Sequence, residues 1–168
     1  MKRWRTSTRI CPFSGEALPD LNLTISSHCM KEEPVMRTLT GQCLCRAVGY
    51  EVADEFVYAA NCHCSNCRRT TGSAFKPFAG IERDKFRLTV ESNNLLIFGD
   101  ENGHDAHCRR CGSLLYSLVR EGAYVHVPMG TLVDEPSIRP EAHIFVGSKA
   151  KWFTITDDLP QYDEHVSG

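Results

Sequence analysis

The chain has 168 residues, of which 42% are hydrophobic and 24% charged, with a formal net charge of −2. That length suits one domain with a true apolar core. The near-neutral charge argues against a polyelectrolyte surface for nucleic acid or anionic membrane, and no apolar run approaches the roughly 20 residues of a membrane helix.

Residues 1–35 carry prolines and polar residues without sustained periodicity, so an unstructured extension is expected there. Its basic residues Lys2, Arg3, Arg5 and Arg9 precede no apolar stretch of the secretory type. Patterned sequence begins at Met36, which the reading takes as the start of the fold. Thr38–Gln42 and Ala47–Val52 read as strands flanking Cys43-Leu44-Cys45, and Phe56–Asn61 as a strand running into Cys62-His63-Cys64-Ser65-Asn66-Cys67. A helical turn is expected over Arg68–Gly72, closed by its glycine. Ser73–Ile81 reads as a strand with an edge or bulge at Pro77. Phe86–Glu91 and Leu95–Phe98 follow as short strands about Ser92-Asn93-Asn94. His104–Cys108 then enters Cys108-Arg109-Arg110-Cys111-Gly112, where glycine relaxes a tight turn. Leu114–Val119 and Ala123–Pro128 form a hairpin pattern, and His143–Val146 is the last predicted strand. Lys151–Ile155 is expected to dock its aromatics on the core. Short strands and few helical periods predict a mainly β chain of antiparallel strands.

Nine cysteines are many for this length, and an odd number cannot all pair within one chain. Their C-x-C and C-x-x-C spacings suit a metal better than a disulfide framework, and so a reducing compartment, the cytoplasm. Cys11 and Cys29 stand in the extension without near partners. In C-x-C on an extended backbone both sulfurs lie on one side, because side chains alternate. Ser65-Asn66 then turns the chain so that Cys67 can join Cys62 and Cys64. Cys43, Cys45, Cys108 and Cys111 would complete a four-thiolate site, leaving Cys62, Cys64 and Cys67 as an open three-thiolate one. A different partition, 43/45 with 64/67, splits the contiguous cluster and strands Cys62. His63 should point away from the metal, whereas His104, His107, His126 and His143 are the histidines that could reach a fourth position. Arg68, Arg69, Arg109 and Arg110 adjoin the knuckles and would offset thiolate charge.

Gly41-Gln42-Cys43-Leu44-Cys45-Arg46-Ala47-Val48, the Cys62–Arg69 segment and Cys108–Gly112 together closely resemble the glutathione-dependent formaldehyde-activating (GFA) family, which includes centromere protein V. His143-Ile144-Phe145-Val146 and Lys151-Trp152-Phe153 with Asp157-Asp158-Leu159-Pro160 are similar to its closing segment. The resemblance spans about 36–163, between the 1–35 extension and a 164–168 tail. It implies a small β-tent zinc fold holding two zinc ions. Cys43, Cys45, Cys108 and Cys111 would hold a structural zinc, and Cys62, Cys64 and Cys67 a catalytic one. It also implies a carbon–sulfur lyase or synthase acting on a thiol–aldehyde adduct, with glutathione as the small-molecule thiol partner and formaldehyde as the aldehyde. No nucleic-acid or membrane partner is expected. The alternative is a non-catalytic zinc-binding interaction module.

Overall fold

The computed structural model describes residues 36–89 and 92–165. The expectations for residues 1–35, Cys11 and Cys29 included, lie outside the described residues, as do those for 90–91 and 166–168. The described chain is mainly β. Its elements are β1 (Thr38–Gln42), β2 (Gly49–Ala53), β3 (Tyr58–Cys62), α1 (Ser65–Thr71), β4 (Lys76–Glu82), β5 (Phe86–Leu88), β6 (Leu95–Gly99), β7 (His104–Cys108), β8 (Leu114–Val119), β9 (Tyr124–Pro128) and β10 (His143–Ile144). Two sheets form, one ordered β1-β2-β5 and the other β10-β3-β4-β9-β8-β7-β6. The ladders are antiparallel except β10 with β3, which is parallel.

Side-chain alternation divides the large sheet into two faces. Ala79 and Ile81 of β4, Val125 and Val127 of β9, and Ala106 and Cys108 of β7 are buried. Most of them pack with Leu39, Val48, Tyr50, Val52 and Phe86 of the small-sheet region into one apolar core. Their alternates, among them Lys76 and Phe78 of β4, His126 of β9, and Asp105 and His107 of β7, line a cavity on the opposite face. Near it a second, smaller cluster joins Ala60, Cys62, Phe78 and Ile144.

Several boundaries differ from the sequence expectation for local reasons. The helix starts earlier than Arg68, because the Cys64 sulfur accepts the Cys67 N–H and caps the first turn. It ends at Gly72, whose φ of 62° is left-handed. Ser73–Phe75 is not strand: Ser73 N–H returns to the Arg68 carbonyl, and its hydroxyl bonds to the Phe75 carbonyl. The last strand stops at Ile144 because Phe145 turns left-handed at φ 57°. Pro77 lies in an interior strand rather than at an edge or bulge. The Gly80 carbonyl faces β3, accepting the Val57 N–H, so by alternation the position of the missing Pro77 N–H faces β9. The β9 ladder ends one residue earlier, at Phe78, and no ladder bond is lost. Trp152 does not dock on the core. It is 75% exposed and meets the core only through Phe153, whose ring lies edge-on to it with centres 6.3 Å apart. Phe153 instead packs near Phe75 and His63.

Gly41 marks where β1 and β2 of the small sheet leave no room. A Cβ built there would lie 2.0 Å from the Tyr50 ring. That ring is buried against Phe86 and its hydroxyl bonds to Thr131, so it cannot swing aside. Gly41→Ala is expected to destabilise the fold by about 2–3 kcal/mol, measured as a lower midpoint in urea unfolding. An unchanged midpoint would show that Tyr50 repacks freely.

Candidate functional site

Seven described cysteines are free thiols, and they gather into two sets. Cys43, Cys45, Cys108 and Cys111 form one, Cys62, Cys64 and Cys67 the other, and within each the sulfurs lie inside 4.8 Å of one another. Among the described residues neither set includes a histidine or a carboxylate. His104, His107, His126 and His143 therefore stand outside both.

The four-sulfur set joins the two sheets. Cys43 and Cys45 follow β1, and Cys108 ends β7. Arg46, left-handed at φ 61°, closes the first knuckle through its N–H to the Cys43 carbonyl. The Val48 N–H points at the Cys43 sulfur, 3.3 Å away. In the second knuckle Gly112 takes φ 77° and donates to the Cys108 carbonyl. Hydrogen bonds from Ser113 bring the Cys111 thiol down to about 5. Sulfur separations of 3.6 Å (Cys43–Cys45) and 3.7 Å (Cys45–Cys108) match the edge of about 3.8 Å that a tetrahedron with ~2.3 Å zinc–sulfur bonds requires. This set fits a thiophilic ion with no protein movement.

The three-sulfur set sits on the other face of the large sheet. Cys62 ends β3, Cys64 caps α1 and Cys67 lies in its first turn. A hydrogen bond from Cys67 lowers the Cys62 thiol, and the same pairing together with burial pushes the Cys67 thiol up. Shared ionisation among clustered sulfurs is what a cation would relieve. All three open into a cavity of about 1650 Å³.

Two polar arrays support this site, and sequence reading singled out neither as a unit. Lys76, only 4% exposed, donates from Nζ to Ser117 Oγ at 3.1 Å, and the Ser117 hydroxyl donates to Asp105 Oδ1 at 2.6 Å. Thr70 of α1 donates to Asp105 Oδ2 at 3.0 Å. A lysine heading the apolar run Pro77–Ile81 was the available signal. Beside it, His126 lies against Phe78, 4.1 Å between ring centres, with Nε2 2.8 Å from the Tyr58 hydroxyl. Burial, aided by the Lys76 charge, brings His126 down to about 3. Behind the thiols, His63 is fully buried. Its Nε2 lies 2.7 Å from His143 Nδ1, and His143 Nε2 lies 3.0 Å from Asp157. Burial and then His143 bring His63 down to about 4.

A family model described as glutathione-dependent formaldehyde-activating enzyme matches residues 38–148, more than half of the chain, and spans both sulfur sets. The chain belongs to the GFA family. A crystal structure of a Rhodobacter sphaeroides protein is similar at 27% identity, over 59% of this chain and 92% of that chain, with a TM-score of 0.49. No curated protein matches the chain. The GFA match contains His63, Lys76, Asp105, Ser117 and His143, whereas Asp157 lies beyond it. Among the described residues no helix is long and apolar enough to cross a membrane.

Proposed function

We propose that this GFA protein is a zinc-dependent carbon–sulfur lyase or synthase that adds a thiol such as glutathione to formaldehyde, or reverses that addition. In this reading Cys43, Cys45, Cys108 and Cys111 hold a structural zinc, and Cys62, Cys64 and Cys67 a catalytic one. The observation that carries it is the asymmetry of the sets: four sulfurs join the two sheets, while three open into a cavity of about 1650 Å³. That exceeds the usual range for small-ligand pockets, roughly 300–1,000 Å³, and has room for a tripeptide thiol. Arg69 and Arg120 in its lining suit an anionic one. The unit responsible is residues 36–163, acting in a reducing cytoplasm where the thiols stay unpaired.

Cys62, Cys64 and Cys67 would hold the zinc, which when bound would supply ionisation of an incoming thiol. A free thiol with a pKa of about 8.5 is only about 3% ionised at pH 7, so complete ionisation is worth about 2 kcal/mol. The remaining acceleration falls to the chain's own residues, which hold thiol and aldehyde together in a walled cavity.

Of two zinc equivalents, one should leave quickly with a chelator while the fold persists, because three protein ligands hold an ion less firmly than four. Glutathione should slow that loss by mass action, and a thiol-free analogue should not. Chelator kinetics on the wild type measures both. Equal protection by the two compounds would remove the thiol from the coordination shell and leave the alternative, a non-catalytic zinc-binding module.

A further inference from the structure

Lys76 is a buried cation without a carboxylate partner, and its charge acts across the cavity on the Cys67 thiol. Among the described residues no carboxylate pairs directly with its ammonium, since Asp105 is reached only through Ser117. The Phe78 ring, 5.8 Å from Nζ to its centre, is its other polarisable neighbour. Burying an ammonium on one neutral hydrogen bond costs several kcal/mol. A hydrophobic residue at this position of an apolar strand would pack more cheaply. Lys76 stands directly across from Cys62 in the β3–β4 register and lines the same cavity as Cys62, Cys64 and Cys67. One of its three N–H donors goes to Ser117, and two remain without a hydrogen-bond partner among the described residues. The Ser117–Asp105–Thr70 chain fixes the head, since Asp105 is itself held on both oxygens. A preorganised, water-poor cation beside a site where a carbon–sulfur bond forms is what stabilises charge developing on oxygen.

We propose that the Lys76 ammonium is an oxyanion-binding group, which receives the aldehyde oxygen as the thiol sulfur adds to the carbonyl carbon. This rests on the thiol–aldehyde reading above. In the step the sulfur electron pair forms the C–S bond, and the C=O π pair moves onto oxygen beside Lys76. That oxygen takes a proton from water, and the thiol has already given its proton to solvent. The product is the hemithioacetal, and nothing is oxidised or reduced. Lys76 keeps its proton throughout and contributes charge and N–H donors. Ser117 and Asp105 are positioning residues that act through it.

The test uses full-length, zinc-loaded protein and formate, a one-carbon anion that needs no chemistry to bind. Saturation-transfer NMR of labelled formate is measured on wild type, Lys76→Arg and Lys76→Met, with thiol–formaldehyde turnover recorded on the same samples. Lys76→Met should weaken formate binding about tenfold or more and lower kcat by about 10²–10³-fold, with the KM for glutathione and the zinc content little changed. Lys76→Arg should keep formate binding within about threefold, as charge is retained. Lys76→Met should also melt no lower than wild type, since removal of a poorly paired buried charge does not destabilise. Should that variant lose zinc, Ser117→Ala, which frees the head but keeps its charge, should weaken formate binding severalfold. Wild type that fails to bind formate, or a Lys76→Met protein that binds it or turns over normally, overturns the proposal. Formate binding lost in Lys76→Met, in a protein without turnover, would support the oxyanion site while sinking the thiol–aldehyde reading.

Discussion

Cys108→Ser is expected to leave no cooperatively folded protein. Cys108 ends β7 at 1% exposure, and its set also holds Cys43, equally buried, just after β1. The four sulfurs therefore join the small sheet to the large one across the main core. Structural zinc in small domains contributes on the order of 10–16 kcal/mol, against a typical total stability of about 5–15 kcal/mol. Serine is a poor zinc ligand at neutral pH and would leave three crowded thiols, with Cys43 among them buried, at the junction of the two sheets. Thermal melting by circular dichroism should show no sharp transition, and metal analysis should find this zinc missing. A normal melt with two zinc ions per chain would refute the structural role of the set.

Cys64→Ser should separate function from fold. The Cys64 sulfur caps α1 by accepting the Cys67 N–H at 3.3 Å, and a serine hydroxyl caps equally well. The helix and the strand before it should persist, with the melting temperature within about 3 °C of wild type. Two remaining thiolates cannot hold zinc against water, so one equivalent should be lost and the other kept. Turnover should fall by about 10³-fold, which is about 4 kcal/mol of transition-state stabilisation. Metal content, melting and turnover on one preparation decide the matter. Retention of both zinc ions would mean that Cys64 serves only as a helix cap.

Much of the fold was legible because local pattern and tertiary demand agree. The β8–β9 hairpin lies where alternation placed it, around three consecutive left-handed residues, Arg120, Glu121 and Gly122. The thiol clusters were visible because metal ligands arrive in short, fixed spacings. Lys76, Ser117 and Asp105 were not, since they come from three strands and nothing in the chain marks their convergence. His63 was placed on the side of β3 away from the thiols, but its burial and its contact with His143, 80 residues on, had no local signal. Trp152 was misplaced because apolar character says that a side chain prefers burial, not that the backbone can deliver it.

The segment after β3 has a further consequence. Cys62 and Cys64 look into the cavity, while His63 between them is packed against Phe75, Phe153 and His143. Each side depends on the parity of a single stretch. Deleting or inserting one residue between Asn61 and Cys64 would send thiols into the aromatic packing and an imidazole into the cavity, undoing both faces at once. Length between β3 and α1 is therefore constrained as tightly as the identity of Cys64 itself.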